Sequence, residues 1–409
     1  AGVEGFAALK EPGRIEDRTE GADTRPHQIV ILPTGAGKSL CFMLPAAMLP
    51  GPTLVVFPLL SLIADQARRV AEVGMRPGVL KGGQSEAERN EVWKGVEKGD
   101  IRILLTNPET ALAPAALGKM KTAGITHLVI DETHIAADWG DTFRPVYKEI
   151  AGIHRQAGIP IVTAFTATAS DHILARVKQI VFPDSSPHTI AANPDRVNIN
   201  YRVLPSICKS HDLVRLIGGE PGRVRRPAII FCRSRVSAEL TARTLRARLD
   251  DESIFFYHAG LSKEEKASTE KWFFESSDGV LAATCAYGMG VDKGDVRTVL
   301  HRDMPPSVEA YLQESGRAGR DREPAEAFLL FGPGDWRGLL RRRRTYEADG
   351  NEDLARRRYL AMLGYASSGA TCRRQYLLSL LQAEPDVCFG CDVCRGDLIS
   401  TPTGLKEIL

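Results

Sequence analysis

The chain has 409 residues, too many for one ordinary domain and enough for two or three. It is 43% hydrophobic and 25% charged, the balance of a soluble globular protein, and it lacks the roughly 18-residue apolar run that a membrane span needs. Its net charge of +2 neither demands nor excludes nucleic acid, so any affinity for phosphate must come from local clusters of charge.

The first residues, 1–23, are polar and mixed in charge and lack the apolar core of a secretory signal; the chain starts on Ala1 rather than Met, as a fragment would. Residues 28–32 read as a short apolar strand running into a Gly-rich turn, and 40–49 as the helix that follows. A second strand is expected at 53–57 and a helix at 60–73. Further apolar runs at 101–106, 127–130 and 161–165 complete a set of near-continuous strands separated by helices. That pattern belongs to a parallel sheet covered on both faces. Residues 185–227 are richer in Pro, Gly and polar side chains, which places a lobe boundary near 200. The strand pattern then restarts at 228–231, 254–257, 280–283, 298–301 and 327–331. After Trp336 it stops, and an Arg-rich helical stretch leads to a cysteine cluster. The expected fold class is α/β: two tandem doubly wound parallel-sheet lobes, 28–200 and 201–336, then a small helical module, 337–400. Residues 1–27 stay unassigned and 401–409 read as a linker or tail.

Thr34-Gly35-Ala36-Gly37-Lys38-Ser39 follows the first strand and opens a helix, the context a phosphate-binding loop requires. Backbone N–H groups at the helix start point at phosphate. Gly35 and Gly37 let the backbone approach closely. Lys38 supplies a point charge to the β- and γ-phosphates, and the Ser39 hydroxyl can hold Mg²⁺. The general loop pattern has Gly where Leu32 stands, so the match is to a variant form. At the end of the strand 127–130 stand Asp131 and Glu132. Hydrolysis of a γ-phosphate needs one carboxylate for the metal and one for the water; Asp131 and Glu132 are expected to divide those roles.

The eight cysteines fall into two sets. Cys41, Cys208, Cys232 and Cys285 are scattered, mostly in apolar segments, and read as reduced core residues. Cys372, Cys388, Cys391 and Cys394 are crowded, with nested two-residue gaps that suit a closed tetrahedral zinc site; an iron–sulfur cluster or disulfides are the alternatives. Basic clusters at 223–226, 337–344 and 356–358, with Arg373 and Arg374, are either solvated faces or phosphate contacts.

These motifs together resemble superfamily 2 helicases, and in detail the RecQ family, over about residues 28–397. The segment 56–66, which includes Ser61, resembles the family's strand-touching segment after the ATP loop. Asp131-Glu132-Thr133-His134 resembles its Asp-Glu-Ala-His box, and Thr166-Ala167-Thr168 the motif linking hydrolysis to movement. In the second lobe the likeness continues through 230–235 (with Arg233 and Ser234), 257–260 (with His258) and 286–293 (with Asp292). Residues 313–321, holding Arg317 and Arg320, are the most distinctive match.

The resemblance implies two RecA-like lobes, ATP, Mg²⁺ and Zn²⁺ as cofactors, and 3′ to 5′ DNA unwinding in repair, recombination and replication. It implies Arg320 as an arginine finger with Arg317 beside it, both on one helix face by their spacing. Asp292 would join the nucleotide site, and Ser61, Arg233, Ser234 and His258 would touch DNA. Trp139, Phe143 and Arg144 resemble the aromatic-rich loop that couples strand binding to ATP turnover; aromatics packing under a loop are the other reading. The implied partners are ATP and DNA, single-stranded and at duplex junctions, with single-stranded-DNA-binding or recombination proteins. An intracellular monomer off the membrane is expected, in cytoplasm, nucleoid or nucleus. The family's Gln-containing adenine motif has no match in 1–25, and Leu409 falls where the family's winged-helix domain would begin. The rivals are an RNA-dependent ATPase of the Asp-Glu-Ala-Asp type and a non-catalytic zinc module with a decayed ATPase lobe.

Overall fold

The computed structural model describes residues 27–33, 36–134, 145–166, 171–219, 224–288, 293–346, 352–381, 383, 387–388 and 390–397. Seven strands form the first sheet: β1 (His27–Ile31), β2 (Thr53–Val56), β3 (Pro77–Val79), β4 (Ile103–Thr106), β5 (His127–Ile130), β6 (Ile161–Thr166) and β7 (His188–Ala191). Their order is β3-β4-β2-β5-β6-β1-β7, every pairing parallel. The second sheet holds β8 (Ile199–Pro205), β9 (Ala228–Phe231), β10 (Ile254–Tyr257), β11 (Val280–Ala283), β12 (Thr298–His301) and β13 (Ala325–Phe331), in the order β10-β11-β9-β12-β13-β8, again all parallel.

The strand sequences explain this directly. In β1, Ile29 and Ile31 join one core while Val30 joins the core on the other face. Leu54 and Val56 against Val55, and Leu128 and Ile130 against Val129, repeat the split. Successive side chains point to opposite faces, so a run apolar at every position must be buried on both. The second sheet does the same, with Ile229 and Phe231 on one side and Ala228 and Ile230 on the other.

Three strands escaped the periodicity argument. β3 carries Pro77 and Gly78 and lies at a sheet edge, where Pro is tolerated. β7 is an edge strand with all four residues exposed. β8 alternates buried Ile199, Tyr201 and Val203 with half-buried Asn200 and Arg202, also at an edge. All three lack the apolar run of a central strand. The last two lie inside the segment read as boundary-like from its composition.

After Phe331 the described residues are helical or irregular, with helices at Pro333–Tyr346, Glu352–Ser367, Arg373–Ser379 and Asp392–Arg395. This part is not a module with a core of its own. Tyr359, Met362, Leu363, Tyr365, Ala366 and Leu377 belong to the same buried cluster as Ile199, Phe231 and Leu329 of the second sheet. The helix Glu352–Ser367 turns these residues, Leu377 aside, towards that sheet, with Leu360 left exposed, and so borrows a core instead of building one.

Candidate functional site

The first lobe's chemistry gathers where β1 and β5 end. Both strands flank β6, with Ile31 level with Thr166 and Ile130 level with Ala164. Two strand spacings of about 5 Å separate their tips, a gap a lysine side chain can bridge. Gly37 has φ +85°, the left-handed conformation glycine adopts without steric cost, and it turns the chain into the helix Lys38–Met48. Lys38 Nζ donates to Glu132 Oε1 at 2.8 Å and lies 3.9 Å from Asp131 Oδ1. Glu132 itself has φ +50°, a conformation that costs a non-glycine residue roughly 1–3 kcal/mol and that collects at functional sites. Its N–H donates to Asp131 Oδ1 at 2.9 Å, and its Oε2 is 3.3 Å from His134 Nδ1. The Thr133 hydroxyl donates to the Phe165 carbonyl at 2.9 Å, tying this turn to the end of β6.

The titrations follow from burial and pairing. Burial works to lower the Lys38 ammonium, but Glu132 and Asp131 outweigh it and the pKa is raised. Burial likewise pushes Glu132 up, yet Lys38 and His134 hold it below the ordinary carboxylate value, so it is ionised at neutral pH. Asp131 goes the other way: burial and the Glu132 charge push it up to about 6 against the pull of Lys38. Ser39 Oγ donates to Gln66 Oε1 at 2.8 Å. Gln66 is a buried residue of the helix Leu60–Glu72, and its contact with Ser39 was not legible from its place in a motif.

From the second lobe come Arg317 and Arg320. Arg320 lies close enough to Lys38 for the two cations to repel, and Arg317 close enough to Glu132 to stabilise its anion. Burial lowers Arg317 to about 10, with the neighbouring Arg320 adding to the effect. Two guanidinium groups held against each other in this way make a receptor for an anion. They do not share a helix face as the spacing suggested. The helix Val308–Ser315 stops before them, and the chain passes through turns from Gly316 to Asp321, with Gly319 at φ +55°. Gly316 caps the helix, and Gly319, in left-handed geometry, turns the chain three residues further on.

The other expected site residues divide. Ala36, Gly37, Lys38 and Ser39 lie at the strand-to-helix turn, whereas Thr34, Gly35, Asp292, Trp139, Phe143, Arg144, Ala167 and Thr168 lie outside the described residues. Ser61, Arg233 and Ser234 are exposed, and the last two line a shallow pocket of about 240 Å³ with Arg302 and Asp303. His258 is buried instead. Its Nε2 is 3.0 Å from Glu239 Oε1, and its Nδ1 accepts from the Gly260 N–H at 3.2 Å, which leaves no ring nitrogen facing outward for a base.

Cys372, Cys388, Cys391 and Cys394 converge, their sulfurs all within 4.8 Å of one another. A tetrahedron with metal–sulfur bonds of about 2.3 Å has edges of about 3.8 Å. The Cys372–Cys391 sulfur separation is 3.8 Å, so this donor set fits zinc. The Cys394 N–H donates to Cys391 Sγ at 3.4 Å, which fixes the sulfur's orientation as it starts the helix Asp392–Arg395. Of the other four cysteines only Cys232 is buried; Cys41, Cys208 and Cys285 are exposed, against the expectation of core residues. Cys41 sits on the outer side of its helix beside exposed Leu40, and Cys208 and Cys285 begin elements at strand ends.

Arg373 and Arg374 are also not available to DNA. Both are almost fully buried, Arg373 on Asp392 and Arg374 on Asp195. In the 223–226 cluster, Arg225 donates to the Pro324 carbonyl and Arg226 pairs with Asp251 at 2.6 Å. Arg337, Arg356 and Arg357 are exposed.

A phosphate-type turn and carboxylates on one parallel sheet, faced by arginines from another, define a class of protein: the two-lobed helicase core. The structural likenesses agree with it. The DUF1998 helicase MrfA bound to DNA aligns with a TM-score of 0.62 at 20% identity, over 78% of this chain and 49% of that one. The DEAD-box helicase Mss116 bound to ssRNA and UDP-BeF aligns with a TM-score of 0.62 at 17% identity, over 88% of this chain and 75% of that one. At such identities the likeness is one of fold.

Family models narrow the class. Residues 19–177 match the DEAD/DEAH box helicase family, 208–322 the helicase conserved C-terminal domain and 335–395 the RecQ zinc-binding family. The chain is 33% identical over 367 residues to the ATP-dependent DNA helicase RecQ of Pasteurella multocida, covering 90% of this chain and 57% of that protein. It is 35% identical over 336 residues to the probable ATP-dependent DNA helicase RecS of Bacillus subtilis, covering 81% and 66%. With the RecQ-like DNA helicase BLM of Xenopus laevis it shares 33% identity, over 90% of this chain and 28% of the relative. The chain belongs to the RecQ helicase family, and it spans about half to two thirds of the length of its bacterial relatives. No helix among the described residues is long and apolar enough to cross a membrane.

Proposed function

We propose that this chain is the motor core of an ATP-dependent DNA helicase that moves 3′ to 5′ and serves repair and recombination. The observation that carries the reading is the facing of Lys38, Asp131 and Glu132 on one lobe by Arg317 and Arg320 on the other. An ATP γ-phosphate in that crevice would take Lys38 from Glu132. The released carboxylate could then orient and deprotonate the attacking water. Arg320, with Arg317 beside it, would meet the charge that develops on the transferred group. Mg²⁺, when bound, would neutralise phosphate charge, with Ser39 and Asp131 as its holders. Thr34 to Ser39 would cradle the phosphates, and Asp292 would complete the nucleotide site. DNA would run over Ser61, Arg233 and Ser234 and the loop bearing Trp139, Phe143 and Arg144. Zinc on the four thiols, with no open ligand position, would be structural.

The test is ATPase activity titrated with single-stranded DNA, with an RNA oligomer of the same length alongside. DNA stimulation that Lys38→Ala abolishes is expected; stimulation by RNA alone would move the assignment to the RNA-dependent ATPases. Forked, 3′-tailed and 5′-tailed duplexes then read the direction, and unwinding confined to the 5′ tail would overturn it.

A further inference from the structure

The segment joining the two sheets, residues 192–198, does more than connect them. Arg196 reaches across to the turn that bears the two arginines. Its Nη1 donates to the Gly316 carbonyl at 3.1 Å, and its Nη2 to the carbonyls of Ala318 at 3.2 Å and Gly319 at 2.7 Å. Asn198 Nδ2 donates to the carbonyls of Gly319 and Glu323, each at 2.8 Å. These carbonyls lie past the end of the helix Val308–Ser315, in the run of turns that bears the two arginines, where no helical ladder supplies their partners. A guanidinium fork is the side chain best shaped to bind several at once. The fit is close: a Cβ on Gly319 would meet Asn198 Nδ2 at 2.5 Å.

The same segment is gripped from its other side. Arg374, two residues past the thiol ligand Cys372, forms an ion pair with Asp195 and donates to the carbonyls of Val197 at 3.3 Å and Ile199 at 2.8 Å. Arg373 donates to Asp392 Oδ1 at 2.9 Å, within the thiol-bearing turn, while Asp392 Oδ2 accepts the Val203 N–H of the edge strand β8 at 2.9 Å. An unbroken path therefore runs from the thiol cluster through Arg374 and Asp195 to Arg196, and from there to the backbone between Arg317 and Arg320.

We infer that Arg196 is a positioning residue for Arg317 and Arg320, and that the Arg374–Asp195 pair latches it to the thiol-bearing module. This rests on the nucleotide-site reading above. Arg196 acts on backbone carbonyls, so its loss loosens the turn without removing a group from the substrate. The cost falls on the rate of the chemical step and not on nucleotide binding.

The experiment compares wild type, Arg196→Ala, Arg196→Lys and Asp195→Asn, each checked for zinc content and melting temperature. DNA-stimulated ATPase kinetics and hydrogen exchange of the 316–323 amides in the absence of nucleotide are both measured. Arg196→Ala should lower kcat at least tenfold with the KM for ATP within twofold and zinc retained, and should speed exchange in 316–323 while other segments keep their rates. Arg196→Lys, which cannot span three carbonyls, should recover only part of kcat. Asp195→Asn should give a smaller change of the same kind. Unchanged exchange in Arg196→Ala, or a raised KM at full kcat, overturns the inference; the latter would make Arg196 a direct nucleotide contact. Unchanged exchange in Asp195→Asn removes the latch. Wild-type protein that hydrolyses no ATP sinks the nucleotide reading instead, and the exchange result still decides whether Arg196 holds the turn.

Discussion

At the scale of residues, the crevice holds its charges in a poised arrangement. Lys38 and Glu132 neutralise each other across 2.8 Å, and an anion that binds the lysine more strongly would release the carboxylate. Glu132→Gln keeps the shape of that contact and removes the base. It should leave nucleotide binding within a few-fold and lower kcat by about 10² or more, read from steady-state ATPase and equilibrium binding on the same sample. Arg320→Ala should lower kcat by about 10³, and Arg320→Lys should not restore it, because a point charge cannot replace a planar fork. A tenfold smaller loss would shift the finger role to Arg317.

At the scale of elements, β5 is built so that the end leading to Asp131 and Glu132 is charged and its other end is neutral. His127 opens the strand, buried, with Nε2 2.9 Å from Thr163 Oγ1 and no partner for Nδ1 among the described residues. Burial lowers its pKa to about 4. Below its ordinary value near 6.5, the unfolded chain takes up a proton that the folded one refuses. The stability this neutral histidine permits is therefore whole above pH 6.5 and lost as pH falls towards 4. His127→Gln should flatten the fall in unfolding free energy between pH 7 and 5 by about 2 kcal/mol, measured by urea titration at each pH. An unchanged slope would mean the ring is protonated in the fold. Helix starts are set more locally. Ser262 and Glu265 form a reciprocal capping box at the helix Lys263–Glu275. Ser262→Ala should cost about 1 kcal/mol in the same titration, with ATPase unaltered.

At the scale of the whole molecule, the thiol-bearing part is continuous with the second sheet. It shares that sheet's core, and Asp392 covers the open edge of β8. Removing zinc with a chelator should therefore lower the melting temperature of everything from β8 onward as one unit and leave the first lobe's transition in place. Calorimetry resolving two transitions, with only the later segment shifted, is the expected record; a shift of both would mean the lobes unfold together. Chelation should also lower ATP turnover, since the thiol cluster reaches the arginine-bearing turn through Arg374 and Asp195.

Whatever depended on local pattern was legible in the amino-acid sequence. Fully apolar strands such as Leu54–Val56 announce a doubly covered sheet, because only such a sheet buries every side chain. Lys38, Asp131 and Glu132 stand at strand ends, and the four cysteines sit at ligand spacing. Those patterns carry chemistry that few other arrangements need. Three of the four edge strands, β3, β7 and β8, did not show, since half of an edge strand's surroundings are solvent and its residues need not be apolar; β10, Ile254–Tyr257, showed because its run is apolar throughout. The burial of His258, Arg373 and Arg374, the pairing of Ser39 with Gln66, and the reach of Arg196 to Gly319 were decided by the tertiary structure alone. Each depends on groups brought together from distant parts of the chain, and a polar side chain in a sequence does not say whether its partner will be water, DNA or a carbonyl far away along the chain.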